Sequence, residues 1–221
     1  MQIDFCEFPD DLLYDLETNV WIRVNQKGGV TLGITSVHAA MAGRLNQIKL
    51  KPVGENVAKG KNVGTIESVK YFGAIRTPVS GRIIETNVDL QNRAKLANDA
   101  PYGAGWFVTI EPTNLSAERA SLSKVQDVEE RIRLMIKELR VRCFKAYPDY
   151  DMWEIGVECA AVLVRVNDLI EQCAVGDVIH VVSDDPTADI EMERWAYDTG
   201  QSVLESRRDG KLMHFIVRKV K

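Results

Sequence analysis

The chain has 221 residues, of which 45% are hydrophobic and 27% are charged, and its formal net charge is −4. This composition indicates a globular protein of two domains of roughly 100 residues each, and it excludes a disordered or fibrous chain. The negative charge disfavours nucleic acid as a partner, because nucleic-acid binding needs a basic surface and neither half of the chain is basic.

The first 112 residues predict an all-β domain built of short strands. Apolar runs at residues 20–24, 30–35 and 60–70 are separated by turns that contain glycine and proline. Many short strands with such turns indicate a β-sandwich or barrel. One helical segment is expected in this domain, over the alanine-rich residues 36–45, with Ser36 as its N-cap.

Residues 113–150 are predicted to link this domain to a second one over residues 151–221. Apolar residues recur at three- and four-residue spacing over residues 124–140, which predicts an amphipathic helix that packs one face on a neighbouring domain. The second domain then alternates, with strands expected at residues 152–156, 178–183, 201–206 and 212–218, and helices at 160–172 and 185–200. The order βαβαββ predicts an α+β two-layer sandwich with both helices on one face of the sheet.

The distribution of apolar, cysteine and histidine residues predicts a cytoplasmic protein without a metal site. No run approaches the roughly 18 apolar residues of a membrane span, and residues 1–11 lack the pattern of a secretion signal. In the cytoplasm, cysteines are expected to be free thiols. Neither the cysteines nor the histidines have the spacing of a zinc site. These residues are Cys6, Cys143, Cys159, Cys173, His38, His180 and His214.

A short motif, Glu67-Ser68-Val69-Lys70, ends the third predicted strand. With the segments at residues 31–35, 80–87 and 99–106, it resembles the H protein of the glycine cleavage system over residues 8–112. The resemblance implies a lipoyl-type hammerhead β-fold in which a lysine at a hairpin tip carries lipoic acid in amide linkage. Lys70 matches that lysine, and Glu67, Ser68 and Val69 match the residues that lead to it. The dithiolane of such an arm cycles between disulfide and dithiol by thiol exchange.

The chain departs from the H-protein pattern around this motif. Asn19-Val20-Trp21 stands where H proteins typically read His-Glu-Trp, Tyr71 stands where they have alanine, and Ala42-Gly43 replaces Leu-Gly. These differences affect which enzyme is expected to dock near the arm, and they leave the attachment of lipoic acid to Lys70 unaffected. The chain is also similar to the lipoate-binding proteins of the heterodisulfide-reductase-like sulfur-oxidising system, which have the same fold and lysine but serve sulfur transfer.

Residues 152–219 resemble the TusA family of sulfur carriers, through Gly156-Val157-Glu158-Cys159 and the segments at 181–186, 209–210 and 215–219. In that family a cysteine at the start of a helix carries a persulfide, and Cys159 matches it. A helix N-terminus favours the thiolate. However, the family's Cys-Pro-x-Pro is Cys159-Ala160-Ala161-Val162 here, and Glu158 opposes ionisation. The alternative is a structural cysteine that behaves as a small buried apolar residue.

The remaining candidate residues have simpler interpretations. Cys173, at the far end of the same predicted helix, is expected to be structural, and no motif supports a role for Cys6 or Cys143. His180 lies in an apolar run and is expected to be a hydrogen-bonded core or edge histidine. Asp184-Asp185 precedes Pro186 and is expected to cap a helix.

These observations predict a lipoyl carrier fused to a TusA-like domain, which acts as a carrier and not as an enzyme in cytoplasmic sulfur trafficking or oxidation. This function predicts three kinds of partner, which are a lipoate ligase or lipoyl-transferring enzyme, a heterodisulfide-reductase-like complex or sulfurtransferases, and lipoamide dehydrogenase. Three alternatives stay open. The chain is a glycine-cleavage H protein that carries an aminomethyl group, its second domain is a docking module with an inert Cys159, or that domain is an active sulfurtransferase.

Overall fold

The computed structural model describes all 221 residues, which form two compact units. The first unit is Met1–Cys143 and the second is Phe144–Lys221. Residues 113–143, which the sequence analysis assigned to a link between domains, therefore lie within the first unit. No helix combines the length and the apolar character that crossing a bilayer requires.

The first unit contains eleven strands and five α-helices, most of them short. The strands are β1 (Gln2–Ile3), β2 (Cys6–Glu7), β3 (Leu13–Asp15), β4 (Val20–Val24), β5 (Val30–Ile34), β6 (Leu45–Leu50), β7 (Asn56–Val57), β8 (Asn62–Ser68), β9 (Phe72–Arg76), β10 (Gly81–Thr86) and β11 (Val108–Pro112). The helices are α1 (Ser36–Ala42), α2 (Asp89–Asn92), α3 (Leu96–Asp99), α4 (Leu115–Glu118) and α5 (Glu129–Leu139).

The strands of the first unit form the predicted β-fold. A six-stranded sheet has the order β3-β4-β5-β11-β10-β7, a three-stranded sheet has the order β6-β8-β9, and β1 pairs with β2. Every strand pair in this unit is antiparallel. Ile22 and Ile110 of the larger sheet share one buried cluster with Ile66 and Ile75 of the smaller sheet. Burying each such side chain contributes about 1.5–3 kcal/mol, so this shared core holds β8 and β9 in place.

Helix α1 connects the two larger sheets, and its cap differs from the prediction. Thr35, not Ser36, is the N-cap, because the Thr35 hydroxyl accepts a hydrogen bond from the His38 backbone N–H at 3.2 Å. The prediction of Ser36 as the cap was therefore wrong. The Ser36 hydroxyl instead donates to the carbonyl of Glu7 at 2.9 Å, which fixes the start of α1 to β2.

Helix α5 packs inside the first unit. It is shorter than the predicted 124–140, because residues 125–127 form a 3₁₀ turn and Arg140 adopts a left-handed conformation that ends the helix. Its buried residues Ile132 and Ile136 join Phe8 and Trp21 in a second apolar core. This packing explains why the segment belongs to the first unit.

A disulfide bond joins Cys6 in β2 to Cys143, which follows α5. The prediction that all four cysteines are thiols was therefore wrong for this pair, and it holds for Cys159 and Cys173. Both bonded cysteines are buried in the second apolar core, at 0% and 8% exposure. The bond closes a sequence separation of 137 residues, and such a pairing leaves no pattern in the local sequence.

The second unit has the predicted order βαβαββ, with β12 (Tyr150–Glu154), α6 (Cys159–Gln172), β13 (Val178–Ser183), α7 (Ala188–Thr199), β14 (Ser202–Asp209) and β15 (Leu212–Arg218). The sheet order is β12-β13-β15-β14, with β12 parallel to β13 and the other pairs antiparallel. Residues of both helices share one core with alternate residues of the strands, including Ile179, Val181 and Phe215. Both helices therefore cover one face of the sheet, which confirms the two-layer sandwich.

Candidate functional site

Lys70 lies in the tight turn that joins β8 to β9. The Ser68 backbone N–H donates to the carbonyl of Tyr71 at 2.8 Å, so Val69 and Lys70 form a two-residue loop between paired strands. Val69 is 99% exposed and Lys70 is also exposed. Glu67, the first residue of the motif, pairs with Phe72 across the hairpin. The structure thus brings the four motif residues to one hairpin tip, where Glu67, Val69 and Lys70 are exposed and Ser68 is buried.

The buried hydroxyl of Ser68 holds this turn from below. It donates a 2.6 Å hydrogen bond to the carbonyl of Ala42, at the end of α1. It also accepts from the backbone N–H groups of Lys70 at 3.2 Å and Tyr71 at 3.1 Å. One side chain therefore satisfies three backbone groups and ties the hairpin tip to α1.

The stem of Lys70 lies against Gly43. Gly43 has a φ of +83°, and a Cβ atom at this position would lie 2.5 Å from Cε of Lys70. The backbone conformation therefore favours glycine here, and the flexible lysine stem occupies the space into which a side chain at this position would extend. No ion pair in the structure involves the Lys70 ammonium group, so its Nζ atom is not tied to a neighbouring carboxylate.

Asn98 closes the same region from the other side, and the sequence analysis did not identify it. Its amide nitrogen donates to the carbonyls of Gly43 at 2.9 Å and Ala39 at 3.3 Å. Its amide oxygen accepts from the Leu45 N–H at 2.9 Å. Asn98 is 6% exposed, and its side chain connects the last turn of α1 and Gly43 to the first residue of β6.

Tyr71 gives the hairpin a second contact with α1. Its ring lies over Gly73, where a Cβ atom would be 2.4 Å from the tyrosine hydroxyl. That hydroxyl is 3.4 Å from Nε2 of His38, and the two rings meet edge to face. Burial lowers the pKa of His38, so this imidazole is neutral at physiological pH. Alanine in place of Tyr71 would lack this contact.

Cys159 is the first residue of α6, one residue before the predicted start of this helix, and its thiol is poorly placed for ionisation. The residue is 4% exposed and packs in the core of the second unit. Burial raises the pKa of its thiol to about 11, and the carboxylates of Asp185 and Glu191 act in the same direction. The Asp185 carboxylate accepts a hydrogen bond from the Cys159 backbone N–H at 2.9 Å. The α6 N-terminus thus already has an anion as its partner.

The two aspartates before Pro186 hold the start of α6 as well as the turn into α7. Asp184 accepts a hydrogen bond from the Gly156 N–H at 2.7 Å. Asp185 also accepts from the backbone N–H and the hydroxyl of Thr187, and these bonds lower the pKa of its carboxyl group. Cys173, at the other end of α6, is a buried thiol whose pKa is raised chiefly by burial.

His180 has two polar partners on the sheet face away from the helices. Its Nδ1 atom lies 2.8 Å from an Asp151 carboxylate oxygen, and its Nε2 atom lies 2.9 Å from Nδ1 of His214. The two imidazoles stack at 5.1 Å, with Phe144 and Trp153 against them. The expectation of a hydrogen-bonded core histidine is confirmed for His180, and its contact with His214 was not predicted from the sequence.

Comparisons with known proteins agree with both units. The family profile described as Glycine cleavage H-protein matches residues 12–134, and the profile described as Sulfurtransferase TusA matches residues 154–219. Glycine cleavage system H protein 3 of Aquifex aeolicus is 41% identical over 143 residues, covering 63% of this chain and 89% of the relative. Glycine cleavage system H protein 2 of the same organism is 36% identical over 138 residues, covering 62% and 86%.

A solved structure shows the same fold in the first unit. The crystal structure of a glycine cleavage system H protein from Mycobacterium marinum superposes with a TM-score of 0.51 at 30% sequence identity. The superposition covers 57% of this chain and 98% of that protein.

Proposed function

The chain belongs to the glycine cleavage H-protein family and continues into a TusA-family domain, and from this we infer that it is a lipoyl carrier of sulfur trafficking or oxidation. The single observation that carries the proposal is the presence of both domains in one chain. A covalent link raises the effective concentration of one module near the other into the millimolar range. Such a link is useful whether the second unit passes sulfur to the arm by thiol exchange or brings a sulfur-handling partner close to it.

Lys70 is the residue that we propose to carry lipoic acid, and its surroundings fit that group. The lysine is exposed at a rigid turn, its ammonium group has no ion pair, and nothing covers Val69 beside it. When bound through an amide, lipoic acid supplies a dithiolane that opens and closes by thiol exchange. The chain contributes the presentation of the lysine, through the hydroxyl of Ser68 and the space left by Gly43.

The geometry at Cys159 favours docking over sulfur transfer for the second unit. At pH 7 a thiol with a pKa of about 11 is ionised in about one molecule in ten thousand, so it is a weak nucleophile for a persulfide donor. We therefore propose that this unit recognises the partner, with Cys159 as the residue to test for sulfur uptake. Partners that fit are a lipoate ligase, a heterodisulfide-reductase-like complex or a sulfurtransferase, and lipoamide dehydrogenase.

A second candidate function is that of a glycine-cleavage H protein, in which the arm carries an aminomethyl group and the second unit is a docking module. The observation that favours it is the naming of the relatives, because both Aquifex aeolicus proteins are called glycine cleavage system H proteins. It predicts that the lipoylated chain accepts an aminomethyl group from glycine in the presence of glycine decarboxylase.

The test begins with the full chain, a lipoate ligase, lipoate and ATP. Peptide mass spectrometry should find lipoyl on Lys70 in the wild type and in Lys61→Arg, and not in Lys70→Arg. Lys61 is a matched control because it lies at the other end of β8 and is also exposed. Lipoylation at another lysine, or at none, would overturn the assignment of Lys70.

The loaded protein is then offered either a persulfide donor or glycine with glycine decarboxylase. Sulfur adducts on the Lys70 peptide support the sulfur function, and an aminomethyl adduct without sulfur adducts supports the second candidate. The Cys159→Ala variant separates the roles of the second unit. Unchanged sulfur loading in this variant supports docking, whereas loss of sulfur loading assigns the thiol to the transfer.

A further inference from the structure

We propose that Ser68, Tyr71 and Asn98 are positioning residues for lipoyl attachment, which hold the hairpin tip on the end of α1 so that Lys70 is presented in one fixed position. This inference rests on the proposed function of Lys70. It concerns residues that do not themselves react, and it explains how an exposed two-residue loop is kept rigid.

The first step is the bond between Ser68 and α1. The Ser68 hydroxyl donates to the Ala42 carbonyl at 2.6 Å while it accepts from the N–H groups of Lys70 and Tyr71. Ser68 is 8% exposed, so water cannot readily replace these bonds. The backbone N–H of the carrier lysine itself is therefore fixed, through one oxygen atom, to the last turn of a helix.

The second step is that the helix end is held in turn. Asn98 makes three hydrogen bonds to backbone groups of residues 39, 43 and 45, and it is almost fully buried. The end of α1 therefore has a defined position relative to the core, and Gly43 at that end lies directly under the lysine stem. A mobile helix end would transmit its motion both to Ser68 and to Lys70.

Tyr71 attaches the opposite side of the turn to α1. Tyr71 packs against the main core of the first unit, and its hydroxyl reaches His38 on α1. The residues on either side of the Val69–Lys70 loop are thus both attached to the same helix. An enzyme that docks on this tip meets a preorganised loop and does not have to order it, which lowers the cost of binding.

This arrangement predicts a particular kinetic effect. If the loop were mobile, only a fraction of the molecules would present Lys70 correctly, and the apparent affinity of the ligase would fall by that fraction. The bound complex would be the same, so kcat would change little. Loss of the Ser68 hydrogen bonds is therefore expected to raise the KM for the protein substrate and to leave kcat nearly unchanged.

The experiment compares two serine variants, each of which loses a hydrogen bond at one end of α1. Ser68→Ala removes the hydroxyl that bonds Ala42 at the end of α1, whereas Ser36→Ala removes the hydroxyl that bonds Glu7 at the start of α1. In the full chain with a lipoate ligase, lipoate and ATP, Ser68→Ala removes three hydrogen bonds and should raise KM at least about fivefold, the effect of one typical bond. Ser36→Ala should leave KM unchanged. Amide hydrogen exchange of the unlipoylated protein should speed up at Lys70 and Tyr71 in Ser68→Ala only.

Two further measurements keep the inference open to refutation. Tyr71→Ala acts on the other side of the loop, at a half-buried residue, and should raise KM in the same way even if Ser68→Ala folds poorly. A wild type that is lipoylated on Lys70, together with variants whose KM and amide exchange are unchanged, would overturn the positioning role alone. A wild type that is not lipoylated would overturn the proposed function instead.

Discussion

The carboxylate of Asp185 lies 2.9 Å from the backbone nitrogen of Cys159 and accepts its hydrogen bond. The helix N-terminus, which would otherwise stabilise a thiolate, therefore stabilises a neighbouring carboxylate. The same carboxylate adds to the effect of burial in raising the pKa of the thiol to about 11. The position of a cysteine at the start of a helix is thus insufficient to make it reactive.

Replacing this carboxylate should make the thiol easier to ionise. Asp185→Asn removes the negative charge, so the pKa of Cys159 should fall, although burial, the larger cause, remains. The rate of Cys159 alkylation by iodoacetamide, followed by peptide mass spectrometry between pH 7 and 10, should rise in the variant. Asp184→Asn is the control, because Asp184 bonds Gly156 and not Cys159. Equal rates in both variants would contradict this account.

The disulfide should contribute substantially to the stability of the first unit. Closing a loop of 137 residues stabilises by up to about 5 kcal/mol in the chain-entropy model, and measured losses are typically about 2–5 kcal/mol. Urea unfolding in reductant should show a loss of this size, and Cys6→Ser/Cys143→Ser should match it without reductant. A double variant that is still sensitive to reductant, or four alkylated thiols in protein that was denatured without reductant, would disprove the bond.

Local patterns were sufficient to predict most elements of the second unit. The apolar spacing of α6 and the run of β13 lie within single segments, so the sequence contains the whole signal. Asp209-Gly210 is a hairpin signal in the sequence, and the turn between β14 and β15 contains Gly210 with a positive φ of +60°. In these elements neighbouring residues determine the structure.

The contacts that build the candidate site could not be predicted from local sequence patterns, because they join residues that are far apart in the chain. The Ser68 hydroxyl bonds a carbonyl 26 residues away, and Asn98 bonds one that is 55 residues away. His180 and His214 meet because β13 and β15 are neighbours in the sheet, a register that the hydrophobic pattern does not specify. The motif therefore located Lys70, while only the fold shows what holds it.

His38 should make the first unit less stable in mild acid. Its pKa in the folded protein is lowered from 6.5 by burial, so below that pH the unfolded chain binds a proton that the folded chain excludes. The contribution of neutral His38 to the stability of the first unit is complete above pH 6.5 and is lost as the pH falls through the lowered pKa. The free energy of unfolding should fall by no more than about 1.4 kcal/mol per pH unit. His38→Gln should flatten this slope. His38 is the one histidine of the first unit, and the NMR signal of the buried Trp21 indole reports on that unit alone. An identical slope in the variant would assign the acid sensitivity to other groups.

Gly43 and Gly28 offer a paired test of the space under the carrier lysine. Both have a φ near +82°, but Gly43 combines it with a ψ of −173°, a region essentially confined to glycine, so alanine there should cost about 1–3 kcal/mol of backbone strain. Their surroundings differ as well, because a Cβ atom at position 28 meets nothing within 4 Å, whereas one at position 43 would collide with Cε of Lys70. Gly43→Ala should therefore displace the lysine stem as well as strain the backbone. Lipoylation of the full chain should show a raised KM in Gly43→Ala and a wild-type KM in Gly28→Ala, when both folded variants are assayed well below their midpoints of thermal unfolding. A wild-type KM in both variants would mean that the ligase accepts the lysine stem in more than one position, and that the glycine at position 43 serves only the backbone.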